Sequence, residues 1–205
     1  MLLAFDTATP YVTVALHDGD DVVGERRSEQ RMKHGEQLAP LIEAVLAGAS
    51  AVRQDLTAIA VGVGPGPFTG LRVGLVTART LGFVLEIPVY GVCSLDILAV
   101  EAASGSRPID RDFVVATDAR RKEVYLATYD DEGRRLDGPR VVRPAEAASG
   151  GPVAADSGAL TATSRQPRTS ATNITMFGRL FSGAWARSNP PAMDCSRRKA
   201  RAPTA

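Results

Sequence analysis

The segment Gly62-Val63-Gly64-Pro65-Gly66-Pro67-Phe68-Thr69-Gly70 is the stretch best suited to chemistry. A glycine turn between a strand and a helix can cradle phosphate, because its free N–H groups and the positive end of the helix dipole both favour anions. The spacing fits neither common phosphate motif. A dinucleotide fingerprint started at Gly62 puts Pro67 where the last glycine must stand, and a P-loop needs Gly-Lys-Ser/Thr where this chain has Gly70-Leu71-Arg72. A tight turn stiffened by Pro65 and Pro67 is the simpler reading.

Other reactive side chains are few. His17 and His34 are the two histidines, one in a turn and one before a helix. Imidazole ligation of a metal wants two or three convergent groups, so solvated histidines are expected and no metal site. Ser94 and Asp96 lie two apart without a histidine placed to complete a triad, and capping a helix is their expected role. Two cysteines, Cys93 and Cys195, make no disulfide framework and fit a reducing cytosol. The start, Met1-Leu2-Leu3-Ala4-Phe5-Asp6, reads as neither a signal peptide nor a membrane span, which needs about 20 apolar residues.

The elements that must position these groups are legible from periodicity. Met1–Thr7 is an apolar run, and Tyr11–Leu16 places Val12, Val14 and Leu16 on one strand face. His17-Asp18-Gly19-Asp20 is a turn before a strand over Val22–Arg27. Leu38, Leu41, Ile42, Val45 and Leu46 recur with helical period, and Gly48 stops that helix. Thr57–Val63 is a central strand, and the helix after the glycine turn runs to Leu85 before Pro88. Gly70, Gly74, Ala78 and Gly82 form a stripe without bulk along it, open to close approach by another backbone. An interior glycine costs about 1 kcal/mol relative to alanine, so packing within the fold or against a partner must compensate. Strands resume at Phe113–Thr117, Val124–Tyr129 and Leu136–Val142 after a polar connector, Ser104–Arg111.

The second half resembles the first. A shift of 112 residues lays Asp118 on Asp6, Val124 on Val12, Leu126 on Val14 and Asp130 on Asp18. Two copies of a β-meander followed by helices imply a doubled ribonuclease-H-like unit.

Ala60–Gly74 resembles the signature of the TsaB (YeaZ) family. Phe5-Asp6-Thr7-Ala8-Thr9, Ile87–Asp96 and Thr117–Tyr125 are similar to other motifs of that family, and together the motifs lie within residues 1–160. The resemblance implies an α/β, actin/hexokinase-like (ASKHA) fold of two ribonuclease-H-like lobes, here with the second incomplete. The expected divisions are 1–104 for the first lobe, 105–160 for the start of the second, and 161–205 for an atypical tail. The resemblance further implies a non-catalytic accessory subunit of the cytoplasmic machinery that forms threonylcarbamoyladenosine in tRNA. Its implied partners are a TsaD-like transferase and a TsaE-like ATPase, with tRNA reached through the complex, no membrane, and a homodimer when alone. No cofactor is expected on this subunit, with ATP belonging to the complex. The catalytic paralogue holds its metal through His-x-x-x-His just after the strand matching Ile87–Val92, where this chain has Cys93-Ser94-Leu95-Asp96-Ile97. In actin-like folds the position of Asp6 and Thr7 lies near nucleotide phosphates, which makes them candidate nucleotide-binding residues; capping of strand-end turns by Asp6 and Asp118 is the plainer role. The implied partner face consists of Leu38, Leu41, Ile42 and Val45 with Gly70, Val73, Gly74 and Thr77. Two other readings stand beside this one: an active metal- or ATP-dependent enzyme of the same fold (a carbamoyl transferase or M22-type metallopeptidase), or a phosphotransferase of the sugar-kinase type, which would need a second glycine-rich adenosine motif.

The likeness stops after Leu160. Residues 1–160 hold 16 Lys/Arg against 22 Asp/Glu, a net of −6, whereas 161–205 hold 8 Lys/Arg against Asp194 alone, a net of +7. Periodicity is lost at the same place. A shifted reading frame is the expectation, with a basic tail that contacts tRNA as the alternative.

Overall fold

The computed structural model describes residues 1–28, 33–104 and 109–144, and the backbone of 153–155. The alternating apolar runs of the first half form one five-stranded sheet. Its strands are β1 (Leu2–Asp6), β2 (Thr13–His17), β3 (Val22–Arg27), β4 (Ala58–Gly62) and β5 (Val89–Val92), in the order β3-β2-β1-β4-β5. β1, β2 and β3 are antiparallel neighbours, and β4 and β5 add on in parallel. Parallel neighbours need long crossovers. These are α1 (His34–Gly48), between β3 and β4, and α2 (Phe68–Leu85), between β4 and β5.

Strand alternation sorts side chains by size onto the two faces of this sheet. Leu3, Phe5, Val14, Leu16, Ile59 and Val61 point to one side, where Leu38, Ile42, Val45 and Leu46 of α1 and Ala78 of α2 cover them. Ala4, Ala15 and Ala60 point to the other side, where α3 (Ser94–Ser104) lays Ile97 and Val100 against them.

The second sheet is four-stranded: β6 (Phe113–Arg120), β7 (Glu123–Tyr129), β8 (Arg135–Val142) and β9 (Val153–Ala155), in the order β8-β7-β6-β9. β6, β7 and β8 repeat the antiparallel meander of β1–β3, and β9 pairs parallel to β6 as β4 does to β1. Phe113, Val115, Ala127 and Tyr129 pack against Leu95 and Ala99, on the opposite flank of α3. One short helix therefore serves as core for both sheets, which is why its sequence is apolar nearly all round.

The shift of 112 residues is correct for β6, where Leu2 pairs with Ala58 and its equivalent Val114 with Val153. It is one residue out on β7. Asp6 faces Thr13, whereas Asp118 faces Val124, because the second hairpin is one residue shorter. A one-residue slip reverses the faces, so Val124 corresponds to Thr13 rather than to Val12. Residues 161–205 lie outside the described residues, and so do the expectations of a shifted frame or a tRNA-contacting tail.

Candidate functional site

The end of β1, the glycine turn and the start of α2 meet at one place. Asp6 is buried, and the Ala8 N–H donates to its Oδ1 at 2.5 Å. A Cβ at Gly62 would stand 2.4 Å from the Asp6 carboxyl, and one at Gly66 2.2 Å from the Ala8 carbonyl oxygen. Gly64 has φ +90°, a conformation suited to glycine, and its carbonyl accepts the Ser94 N–H at 2.8 Å. The turn is thus packed directly onto the loop after β1, with its glycines filled against Asp6 and Ala8. That is a tight structural turn rather than an open phosphate cradle.

Thr7 is fully buried beneath α2. Its Oγ1 donates to the Gly70 carbonyl at 2.8 Å and accepts the Gly74 N–H at 3.2 Å, the two groups that a helix would pair with each other. The single hydrogen of the hydroxyl is engaged, and a phosphate oxygen would have to displace the Gly70 carbonyl to accept it. Burial raises the pKa of Asp6 above the carboxylate value, opposed by the Ala8 N–H, the neighbouring Ser94 hydroxyl, the Thr7 N–H and His34. Asp118 accepts the Arg120 N–H at 2.8 Å, the same two-residue reach that Asp6 makes to Ala8. The duplicated acids share this turn-capping geometry, Asp6 in the interior and Asp118 at the surface.

The histidines are not solvated, contrary to the expectation from sequence. His17 is buried and its Nδ1 accepts the Gly19 N–H at 3.0 Å. His34 is buried and its Nε2 pairs with the Thr9 carbonyl at 2.7 Å, tying the start of α1 to the loop after β1. Among the described residues, no three His, Cys, Asp or Glu side chains are grouped closely enough to hold a metal ion.

Ser94 and Asp96 also differ from their expected role as caps. The Ser94 hydroxyl is buried without a well-formed hydrogen bond. Asp96 points across to the second sheet, where the Tyr129 hydroxyl donates to its Oδ1 at 2.7 Å and Arg135 stands 3.5 Å away. Burial raises the pKa of Asp96, and Tyr129 and Arg135 oppose the shift. Burial and Asp96 together push the Cys93 thiol up to about 11, which leaves it protonated and a poor nucleophile near neutrality. Sequence spacing has no means of joining residues 33 positions apart. The available signal was a carboxylate set among Leu95, Ile97 and Leu98 in the first turn of α3, which implies a buried partner.

The expected partner face divides by burial. Leu38, Ile42 and Val45 are core residues, and Gly70 and Gly74 are buried against the loop after β1. Leu41 and Val73 are half-buried against the same core, and Thr77 is half-buried beside them. The small-residue stripe is turned inward, since a Cβ at Gly74 would lie 2.4 Å from Thr7 Oγ1 and one at Gly82 2.3 Å from Val89 Cγ2. Buried residues present no surface to a partner, so of the expected face Leu41, Val73 and Thr77 are the partly accessible members. The outer face of α2 is apolar in its own right: Phe68 is 72%, Val76 61%, Phe83 73% and Val84 68% exposed. Length and apolarity would let α2 span a membrane, but its inner stripe is packed on the sheet. A groove of about 490 Å³ between β3 and α1, lined by Arg26, Arg27, Lys33 and Glu36 among others, contains neither Asp6 nor Thr7.

Two meanders with parallel strands added beside the first strand of each define an actin/hexokinase-like α/β protein, with the acid and hydroxyl at the end of β1 committed to the backbone. Residues 22–185 match the family model described as TsaD, tRNA N6-adenosine threonylcarbamoyltransferase. The tRNA threonylcarbamoyladenosine biosynthesis protein TsaB of Bacillus subtilis is 34% identical over 128 residues, covering 62% of this chain and 54% of its own length. An uncharacterised protein of Mycobacterium tuberculosis is 48% identical over 160 residues, covering 77% of this chain and 72% of its own. The structure of YeaZ from Pseudomonas aeruginosa superposes with a TM-score of 0.72 at 29% identity, covering 91% of this chain and 92% of that one. The chain belongs to the TsaB family, within the TsaD-like group, and is accordingly involved in threonylcarbamoyladenosine biosynthesis. It spans little more than half the length of the Bacillus protein.

Proposed function

We propose that this chain is the non-catalytic, cytoplasmic partner subunit of the complex that forms threonylcarbamoyladenosine next to the anticodon of tRNA, where it binds and supports a TsaD-like transferase alongside a TsaE-like ATPase. The observation that carries this reading is the outer face of α2. Phe68, Val76 and Phe83 stand exposed on a helix whose inner stripe is already occupied. Apolar area of this kind marks protein interaction sites. The docking face is drawn from Arg72, Val76, Thr80 and Phe83, with Leu41, Val73 and Thr77 at its margin. In the absence of the transferase the same face pairs two copies of this chain.

The accessory role is supported by the commitments of Asp6, Thr7 and both histidines to backbone groups, which leave the site at the end of β1 poorly equipped for turnover. Formation of the modified base by purified transferase, with and without this chain, tests the reading. Stimulation that requires both proteins is expected. Turnover by this chain alone would make it an enzyme and overturn the proposal. Co-elution with the transferase should disappear in Val76→Asp while the far-ultraviolet circular dichroism is unchanged. Normal co-elution of that variant would remove the docking face from α2.

A further inference from the structure

Half of the cations between residues 109 and 144 are matched by acids. Arg111, Arg134, Arg135 and Arg140 each lie within ion-pair distance of a carboxylate. The other four, Arg120, Arg121, Lys122 and Arg143, have no ion pair or aromatic contact among the described residues, and all are exposed.

The unmatched four share one end of the second sheet. Arg120 ends β6, and Arg121 and Lys122 form the turn to β7. Val142 of β8 pairs with Val124, so the next residue, Arg143, stands beside Glu123 at the foot of that turn. Neighbouring strands are about 4.8 Å apart, which brings the fourth charge close to the other three. Two acids flank the patch. Asp118 has one carboxylate oxygen committed to the Arg120 N–H, and Glu123 is exposed. The patch stays positive within residues 1–160, whose net charge is −6.

The backbone at this turn is unusual. Arg120, Arg121 and Lys122 have φ of +64°, +53° and +65°, three consecutive residues in the left-handed region. That region is ordinarily visited by single glycines, asparagines or aspartates. Long cationic side chains occupy positions that glycine would fill with less strain, and strain of this kind concentrates where a segment has a function.

We propose that the β6–β7 turn, with Arg143, contacts the phosphate backbone of tRNA. The inference rests on the reading that the chain works in a complex whose substrate is tRNA. Phosphates suit the patch because arginine offers paired donors to their oxygens and the contact needs no base to be read.

Full-length chain and an unmodified tRNA transcript, followed by fluorescence anisotropy between about 50 and 200 mM salt, test the proposal. Arg121→Gly/Lys122→Gly removes two charges at positions where glycine is conformationally favoured, so a folded protein is retained. The affinity of this variant should fall about tenfold at the lower salt, and its log K against log salt should be shallower by roughly 1.5, as expected for two lost phosphate contacts. Arg111→Gln, a charge loss at a matched position, should stay within about twofold of the parent. The cations of residues 161–205 are present in every variant and cancel from the comparison.

Unchanged affinity in the double variant overturns the proposal, as does an absence of tRNA binding by the parent chain at the lower salt. Loss of co-elution with the transferase, with tRNA affinity retained, would assign the turn to an acidic protein surface instead. Failure of the parent chain to associate with the transferase sinks the partner reading alone. The two ideas therefore fail separately.

Discussion

The Thr7 hydroxyl links β1 to α2 and sets how closely the helix can lie on the sheet. A methyl at position 74 would stand 2.4 Å from Thr7 Oγ1, and Thr7 is fully buried with nowhere to retreat. Gly74→Ala gains about 1 kcal/mol of helix propensity but overpacks the contact, at about 1–3 kcal/mol. A net loss of stability is expected, read as a lower urea midpoint. Thr7→Ala on the Gly74→Ala background should restore part of it, because the two side chains compete for one space. The buried acids give a signed pH dependence. Asp6 and Asp96 have raised pKa values in the fold, so the folded chain holds their protons more tightly than the unfolded one. Between the unfolded value of 3.8 and the higher folded value, folding takes up protons, and stability falls as pH rises through that window. Urea midpoints measured upward from pH 4 should show this decline, and Asp96→Asn should flatten it. At Lys122 the left-handed backbone predicts the opposite sign to most surface glycine substitutions: Lys122→Gly should stabilise by about 1 kcal/mol, measured by the same unfolding curves.

At the scale of elements, α2 explains both what the sequence disclosed and what it concealed. The strand–glycine turn–helix order, the helix length and the four-residue stripe were all readable, because each follows from short-range spacing. The direction of the stripe was not. A row of small residues permits close approach on whichever side another backbone lies, and spacing along one helix does not say which side that is. The contacts of Gly70 and Gly74 with Thr7, and of Gly82 with Val89, settle it inward. The histidines were misread for a similar reason. Their partners, the Gly19 N–H and the Thr9 carbonyl, are backbone groups that carry no sequence signature. A pair of substitutions three residues apart on α2 separates the two faces. Val73→Asp places a charge against the core and should lower stability by several kcal/mol, whereas Val76→Asp, 61% exposed, should leave the unfolding midpoint nearly unchanged while abolishing association with the transferase. Equal midpoints for the two variants would contradict the inward stripe.

Over the whole molecule, α3 decides whether two similar sheets behave as one body. The meander repeat was legible from the ungapped shift, but the way the copies join was not, because the joint is made by residues far apart in sequence. Ile97 and Val100 belong to the core under the first sheet, and Leu95 and Ala99 to that under the second. Asp96, between them, receives the Tyr129 hydroxyl and faces Arg135. Neither sheet can lose α3 without exposing apolar surface on both sides, so the described body should unfold in one transition that fluorescence and circular dichroism report alike. Leu95 is fully buried, and Leu95→Ala should cost about 2–5 kcal/mol. A shared core requires this loss to shift the whole transition while keeping it single. Tyr129→Phe leaves Asp96 with Arg135 and the neighbouring Cys93 thiol and should cost about 1.5–3 kcal/mol, the range for a hydrogen bond to a charged group. In Asp96→Asn the same change should cost less, since the acceptor there is neutral. A split transition in Leu95→Ala, with the first sheet melting at its original midpoint, would show that each sheet is stable alone and that α3 belongs to only one of them.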